Sequence, residues 1–161
     1  MKEKRKLVMT AVLIVGLIAL GVMPALAQDK PADNMQMVRE KVRADKKLFV
    51  AANMELTESE AKAFWPVYEK YQNELFLLRS RTAKLIKDYA EAFKDMSDET
   101  AKRLLDEFVT IESLGVKLRK GYLPKFRQVL PEKKAARYYQ IENKIQAVLY
   151  YELATQIPLV Q

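Results

Sequence analysis

The chain has 161 residues, 30% of them charged, with a formal net charge of +7, no cysteine and no histidine. The missing cysteine excludes a disulfide framework and thiol catalysis, and the missing histidine removes the commonest general base and the commonest metal ligand. Basic and acidic residues alternate instead of forming one long block, so the charge does not point to nucleic acid.

Residues 1–27 have the three parts of a secretory signal peptide. A basic cluster at Lys2, Lys4, Arg5 and Lys6 precedes an apolar run from Leu7 to Met23; Pro24 breaks the run, and Ala25 and Ala27 supply the small side chains of a cleavage site. The run is slightly short for a spanning helix of about 20 residues. Cleavage after Ala27 is therefore expected over an uncleaved anchor, leaving no integral membrane segment. That peptide carries four of the 28 basic and one of the 21 acidic residues, so the mature chain has a net charge of +4. It also leaves only two glycines, Gly115 and Gly121, which argues against a fold rich in hairpin turns.

Residues 28–33 read as a flexible N-terminal tail. Asp33 and Gln36 can cap a first helix at 34–54, with Met35, Val38, Val42, Phe49 and Ala52 at helical spacing. Leu56-Thr57-Glu58-Ser59-Glu60 contains a capping box with a preceding staple residue. From there Phe64, Tyr68, Tyr71, Leu75, Leu78, Thr82, Leu85, Tyr89 and Ala92 alternate in steps of four and three, which predicts a helix to about Phe93. Pro66 lies inside it and is expected to bend it. Ser97 is the expected cap of a third helix, whose stripe is Leu104, Phe108, Ile111, Gly115, Leu118 and Tyr122; Gly121 and Pro124 should loosen its last turns. Pro131 opens a fourth helix as its first residue, with Tyr138, Ile141, Ile145 and Val148 following, and the helix ends before Pro158.

The expected fold is all-α: a single helical domain over 34–157, built of four long helices as two antiparallel hairpins, elongated, with a C-terminal tail at 158–161. A weak echo at a spacing of 74 residues aligns Leu56 with Leu130 and Phe64 with Tyr138. It reflects either two related units, helices 1–2 and 3–4, or the general likeness of amphipathic helices.

Leu56-Thr57-Glu58-Ser59-Glu60 at one helix start and Leu130-Pro131-Glu132-Lys133-Lys134 at another resemble the paired L-T-x-x-Q motifs of the Spy/CpxP family of periplasmic chaperones and stress proteins. The resemblance covers about residues 35–155. Glu60 stands where that family has Gln in the first motif; the second, in Val129-Leu130-Pro131-Glu132-Lys133-Lys134, lacks the Thr and has Lys in place of Gln. The resemblance implies a curved four-helix homodimer in the periplasm. Its concave face would bind unfolded proteins without ATP.

No phosphate-cradling glycine motif and no calcium loop is present. No catalytic, cofactor-binding or metal-binding residue is assigned, and the chain is not read as an enzyme. Candidate partner-binding residues fall in two groups. Trp65, Phe76, Ile86 and Phe93 form a second apolar face on the second helix, which must meet a helix, a partner subunit or a client. Lys117, Arg119, Lys120, Lys125 and Arg127 form the densest basic stretch, either a solvated face or an attractor of acidic protein segments. The leading expectation is a periplasmic, ATP-independent chaperone-like protein that binds unfolded or misfolded envelope proteins. The alternatives are an envelope-stress regulator docking on a membrane sensor and a structural helical envelope protein.

Intact-mass measurement of the exported protein should give a chain beginning at Gln28. A retained Met1, or a species that pellets with membranes, would contradict the cleavage.

Overall fold

A computed structural model describes residues 31–160, with side chains from Glu40 onward. The expected signal peptide at 1–27 lies outside the described residues. The described chain is four helices: α1 Pro31–Met54, α2 Glu58–Ala92, α3 Asp98–Val129 and α4 Glu132–Gln156, with one 3-10 turn at Phe93–Asp95. Among the described residues there is no strand, and no helix is long and apolar enough to cross a membrane.

The helix ends follow local chemistry. Helix α1 starts at Pro31, three residues before the expected start, so 31–33 are helical and not tail. Proline suits that place, because its φ is already helical and no N–H is needed there. The helix ends at Glu55, which has a φ of 50°, the left-handed conformation that closes many helices. The Thr57 hydroxyl accepts from the Glu60 amide at 3.3 Å, and the Glu60 carboxylate accepts from the Thr57 amide at 2.8 Å, completing the capping box. Ser97 caps α3 through the Thr100 amide at 3.2 Å.

At the α3–α4 junction Leu130 is extended, at φ −136° and ψ 146°. The Pro131 ring disfavours the helical region for the residue before it, and Leu130 takes the extended alternative. Pro131 sits one position earlier than expected, just outside α4, and its carbonyl accepts the amides of Lys134 and Ala135 at 2.9 Å each. Helices α2 and α3 run unbroken through Pro66 and through Gly121 and Pro124.

The helices pair closely as two antiparallel sets, which divide the chain into two units. The sets are not the sequence neighbours 1–2 and 3–4. One unit holds α2, the turn and α3, extending to Ala135; the other holds α1 with α4 from Ala136 to Pro158.

In the α2–α3 hairpin, Phe64, Tyr68 and Tyr71 pack against Tyr122 and Phe126, with ring centroids 5.8 Å apart for Phe64–Phe126 and 5.2 Å for Tyr71–Tyr122. Leu104, Ile111 and Leu130 are also buried. Gly115 faces α2, where an added Cβ would make ordinary contact with Leu78 Cδ2 at 3.6 Å. Phe108, expected on this stripe, is 51% exposed. Four residues after Leu104 it has advanced about 40° round the helix, away from Ile111 and out of the seam.

In the α1–α4 pair, Val50, Met54 and Tyr138 are fully buried. Lys46 Nζ lies 2.8 Å from Glu142 Oε2, and the Tyr138 hydroxyl donates to Glu142 Oε1 at 3.1 Å. Both charged side chains are nearly sealed from water, at 11% and 9% exposure. Arg137 reaches Glu55 at 3.0 Å. The pairing 46 with 142 and 55 with 137 runs in opposite directions, so α1 and α4 are antiparallel.

Lys46→Met removes the cation that balances the shielded Glu142 carboxylate and should destabilise the fold by about 3 kcal/mol in urea unfolding. The double variant Lys46→Met/Glu142→Leu should recover most of that loss. Equal stability of wild type and Lys46→Met would show that the ion pair is not shielded.

Candidate partner-binding surface

The sequence-derived candidates on α2 are less open than their spacing implies. Trp65 is half-buried, edge-on to Phe64 at 5.0 Å and to Tyr68 at 5.2 Å. Phe76 and Ile86 are half-buried, and Phe93, in the 3-10 turn, packs on Tyr89 at 5.8 Å. A stripe beside the packed seam is partly covered by the flanks of the neighbouring helix, which a wheel of α2 alone does not reveal.

The basic candidates lie on the C-terminal half of α3. Lys117 and Lys120 are exposed and border a shallow depression floored by Val116 and Gly121. Arg119 is half-buried. The Lys125 ammonium lies 4.0 Å over the Tyr122 ring, and Arg127 pairs with Glu132 at 3.0 Å. Thus Lys117 and Lys120 form the outward part of the cluster, while Lys125 and Arg127 also hold local contacts. The start of α2 and the end of α3 do come together, through Phe64 and Phe126. Trp65 therefore sits on the same aromatic cluster that Lys125 and Arg127 flank.

The motif residues have a structural task. Leu130 is buried and Leu56 half-buried. Glu60, which caps α2, also pairs with Lys134 in the first turn of α4. The Lys134 bond, and then the Thr57 amide, hold the Glu60 carboxyl below its ordinary value of 4.5. That contribution is present above the ordinary value and is lost as pH falls through the lowered one.

The most open apolar surface was not among the candidates. On α3, Leu105, Phe108, Val109 and Val116 are 42–61% exposed. The signal was present as the spacing 105–109–116, one helical face adjacent to the packed stripe. The other open feature is a charged groove of about 720 Å³ between α2 and α3, which includes Arg81, Asp88, Arg103 and Glu107. Its charges answer one another: Arg81 holds Glu107 by two bonds, at 3.0 and 2.8 Å, and Asp88 lies against Lys84 and Arg103. Such a groove is neutralised from within and offers an ionic ligand little.

No protein-family model, curated protein or solved structure matches the chain.

Tyr122 is buried, and its hydroxyl donates to Glu74. Burial first, then the Glu74 bond, push the phenol up to about 12. The neutral phenol is favoured in the folded state, so its contribution is complete below 10 and lost as pH rises toward 12. Ultraviolet titration should show a tyrosine that ionises well above the ordinary value of 10, at about 12 or only on alkaline unfolding. Tyr122→Phe should abolish that step; an unchanged titration would assign it to another tyrosine.

Proposed function

We propose that the mature chain is an exported, periplasmic, ATP-independent chaperone-like protein that binds unfolded or misfolded envelope proteins. One observation carries the reading. The outward face of α3 joins four exposed apolar side chains to a stretch, 113–129, with five basic residues and no acid. An unfolded segment exposes apolar side chains and its own charges together. Cationic attraction speeds its encounter, and apolar burial at roughly 25 cal/mol per Å² holds it. The mixed surface lies on a rigid helix, so little ordering is needed on the chaperone's side. The motif resemblance and the signal peptide support the same assignment and the periplasmic location.

The mature protein should suppress aggregation of a chemically denatured client without ATP. Raised salt should slow capture, since screening shortens the reach of the cations to about 10 Å at 0.1 M. Lys117→Glu/Lys120→Glu should slow it several-fold with an unchanged helical circular-dichroism signal. Absence of any effect at several-fold molar excess would defeat the chaperone reading. High-affinity binding of one folded membrane sensor would then favour the regulator.

A further inference from the structure

The second half of α3 carries a cationic surface that the fold itself does not use. From Asp98 to Glu112 the helix has five acids and two bases; from Ser113 to Val129 it has five bases and no acid. Lys117, Lys120, Lys125 and Arg127 are exposed there, and Ser113, Gly121 and Pro124 between them are short, so the cations stand above a low surface. Elsewhere in the hairpin, bases stand against acids: Arg81 with Glu107, Lys84 with Asp88 and Lys102 with Asp106. Lys117 and Lys120 have no acidic partner among the described residues. Acids beside this surface are engaged: Glu74 accepts the Tyr122 hydroxyl, and Glu132 holds Arg127. Glu112, one turn before Val116, marks its edge.

Gly121 is an independent indication. Glycine inside a helix costs stability relative to alanine. Neither backbone nor packing asks for it here: its φ is not positive, and an added Cβ would meet nothing within 4 Å. What glycine does provide at an open position is close approach of the backbone to something outside the chain. At 100° per residue, Val116, Lys117, Lys120, Gly121 and Pro124 share an arc of about 140°. The unpaired lysines and the unexplained glycine therefore lie on one face.

We propose that this half of α3 docks on the phosphate headgroups of an anionic lipid bilayer. Lys117 and Lys120 lie among the phosphates, Gly121 lets the backbone come down to them, and exposed Val116 reaches toward the acyl boundary. A flat sheet of phosphates suits this surface better than an acidic peptide does. The depression bordered by Lys117 and Lys120 is shallow and offers no cleft for a side chain. Lysine meets phosphate as a point charge, whereas carboxylate recognition gains from the two-pronged fork of arginine. Of the two arginines here, Arg127 holds Glu132 and Arg119 is half-buried. Each lysine near an anionic surface raises partitioning about fivefold, and that attraction is screened beyond about 10 Å at 0.1 M salt. The contact is therefore peripheral and reversible, without insertion of the helix. The acids of the first half tilt that half away from the lipid, which leaves Leu105 and Val109 open. The docking does not rest on the chaperone reading. Where both hold, lipid and client compete for Lys117 and Lys120.

Flotation of the mature protein with vesicles tests this. The protein should float with phosphatidylglycerol-containing vesicles at low salt, stay behind with pure phosphatidylcholine, and be released as salt rises. Release by salt also separates this contact from a retained signal anchor. Lys117→Glu/Lys120→Glu should lower partitioning about 25-fold or more with an unchanged helical circular-dichroism signal. Lys117→Arg/Lys120→Arg should keep it. Gly121→Gln should raise the melting temperature yet weaken binding several-fold, because a long side chain holds the backbone off. Lys84→Glu/Lys87→Glu makes the same charge change at the other end of the hairpin and should keep most of the binding. An equal loss there would mean attraction by net charge alone and overturns the proposal. Unweakened binding by Gly121→Gln overturns the close contact. Wild type that ignores anionic vesicles at low salt overturns the docking, including the case in which it binds polyglutamate instead. Vesicle binding without suppression of aggregation supports the docking and retires only the chaperone reading.

Discussion

One carboxylate, that of Glu60, anchors two helix starts at once. It accepts the Thr57 amide that begins α2 and pairs with Lys134 in the first turn of α4. The second bond depends on the first, because the capping box fixes the side chain in the rotamer that reaches back. Pro131 prepares the other side. Leu130 before it takes the extended backbone that a following proline favours, α3 ends there, and the Pro131 carbonyl receives the amide of Lys134 itself. The geometry of the α2–α3 unit at this end thus follows from a threonine, a proline and two opposite charges. The aromatic cluster of Phe64, Tyr71, Tyr122 and Phe126 then fills the space beside it.

The two units hold their helices together by different means. In α2–α3 the contact is apolar and aromatic, centred on Phe64, Tyr71, Tyr122 and Phe126. Polar bonds sit at its margins, such as Tyr122 to Glu74 and Arg81 to Glu107. In α1–α4 a nearly sealed Lys46–Glu142 pair lies among Val50, Met54 and Tyr138. A buried ion pair adds little net stability over an apolar pair of the same volume, because desolvation offsets the attraction. It does penalise any register that separates the charges. That is useful between helices distant in sequence, where no short turn fixes the alignment.

A two-helix hairpin covers one stripe of each helix and leaves the next one open. On α2 the neighbouring stripe is half-covered, so Trp65, Phe76 and Ile86 are not the main exposed apolar surface. On α3 the corresponding stripe faces outward, and the uneven charge of that helix runs along it. The functional reading arises from this asymmetry between two helices of similar composition.

Helix identity and the caps of α2 and α3 were legible in the sequence. They depend on local hydrogen bonds and a 3.6-residue period, both encoded within a few positions. The capping box at Thr57 and Glu60, the Ser97 cap and the buried seam of Phe64, Tyr68 and Tyr71 are of this kind. Basic residues at 117–127 were equally plain, because charge is a property of composition. Pairing was decided by tertiary structure: α1 joins α4 through Lys46 and Glu142, 96 residues apart, and no local signal links such positions. Exposure was decided there too. Phe108 and Trp65 each sit about a third of a turn or less from a packed position, and only the placement of the neighbouring helix determines which ring is covered. The contact between Glu60 and Lys134 belongs to the same class. The two charges lie 74 residues apart in the sequence, and only the fold, by bringing two helix starts together, makes them an ion pair.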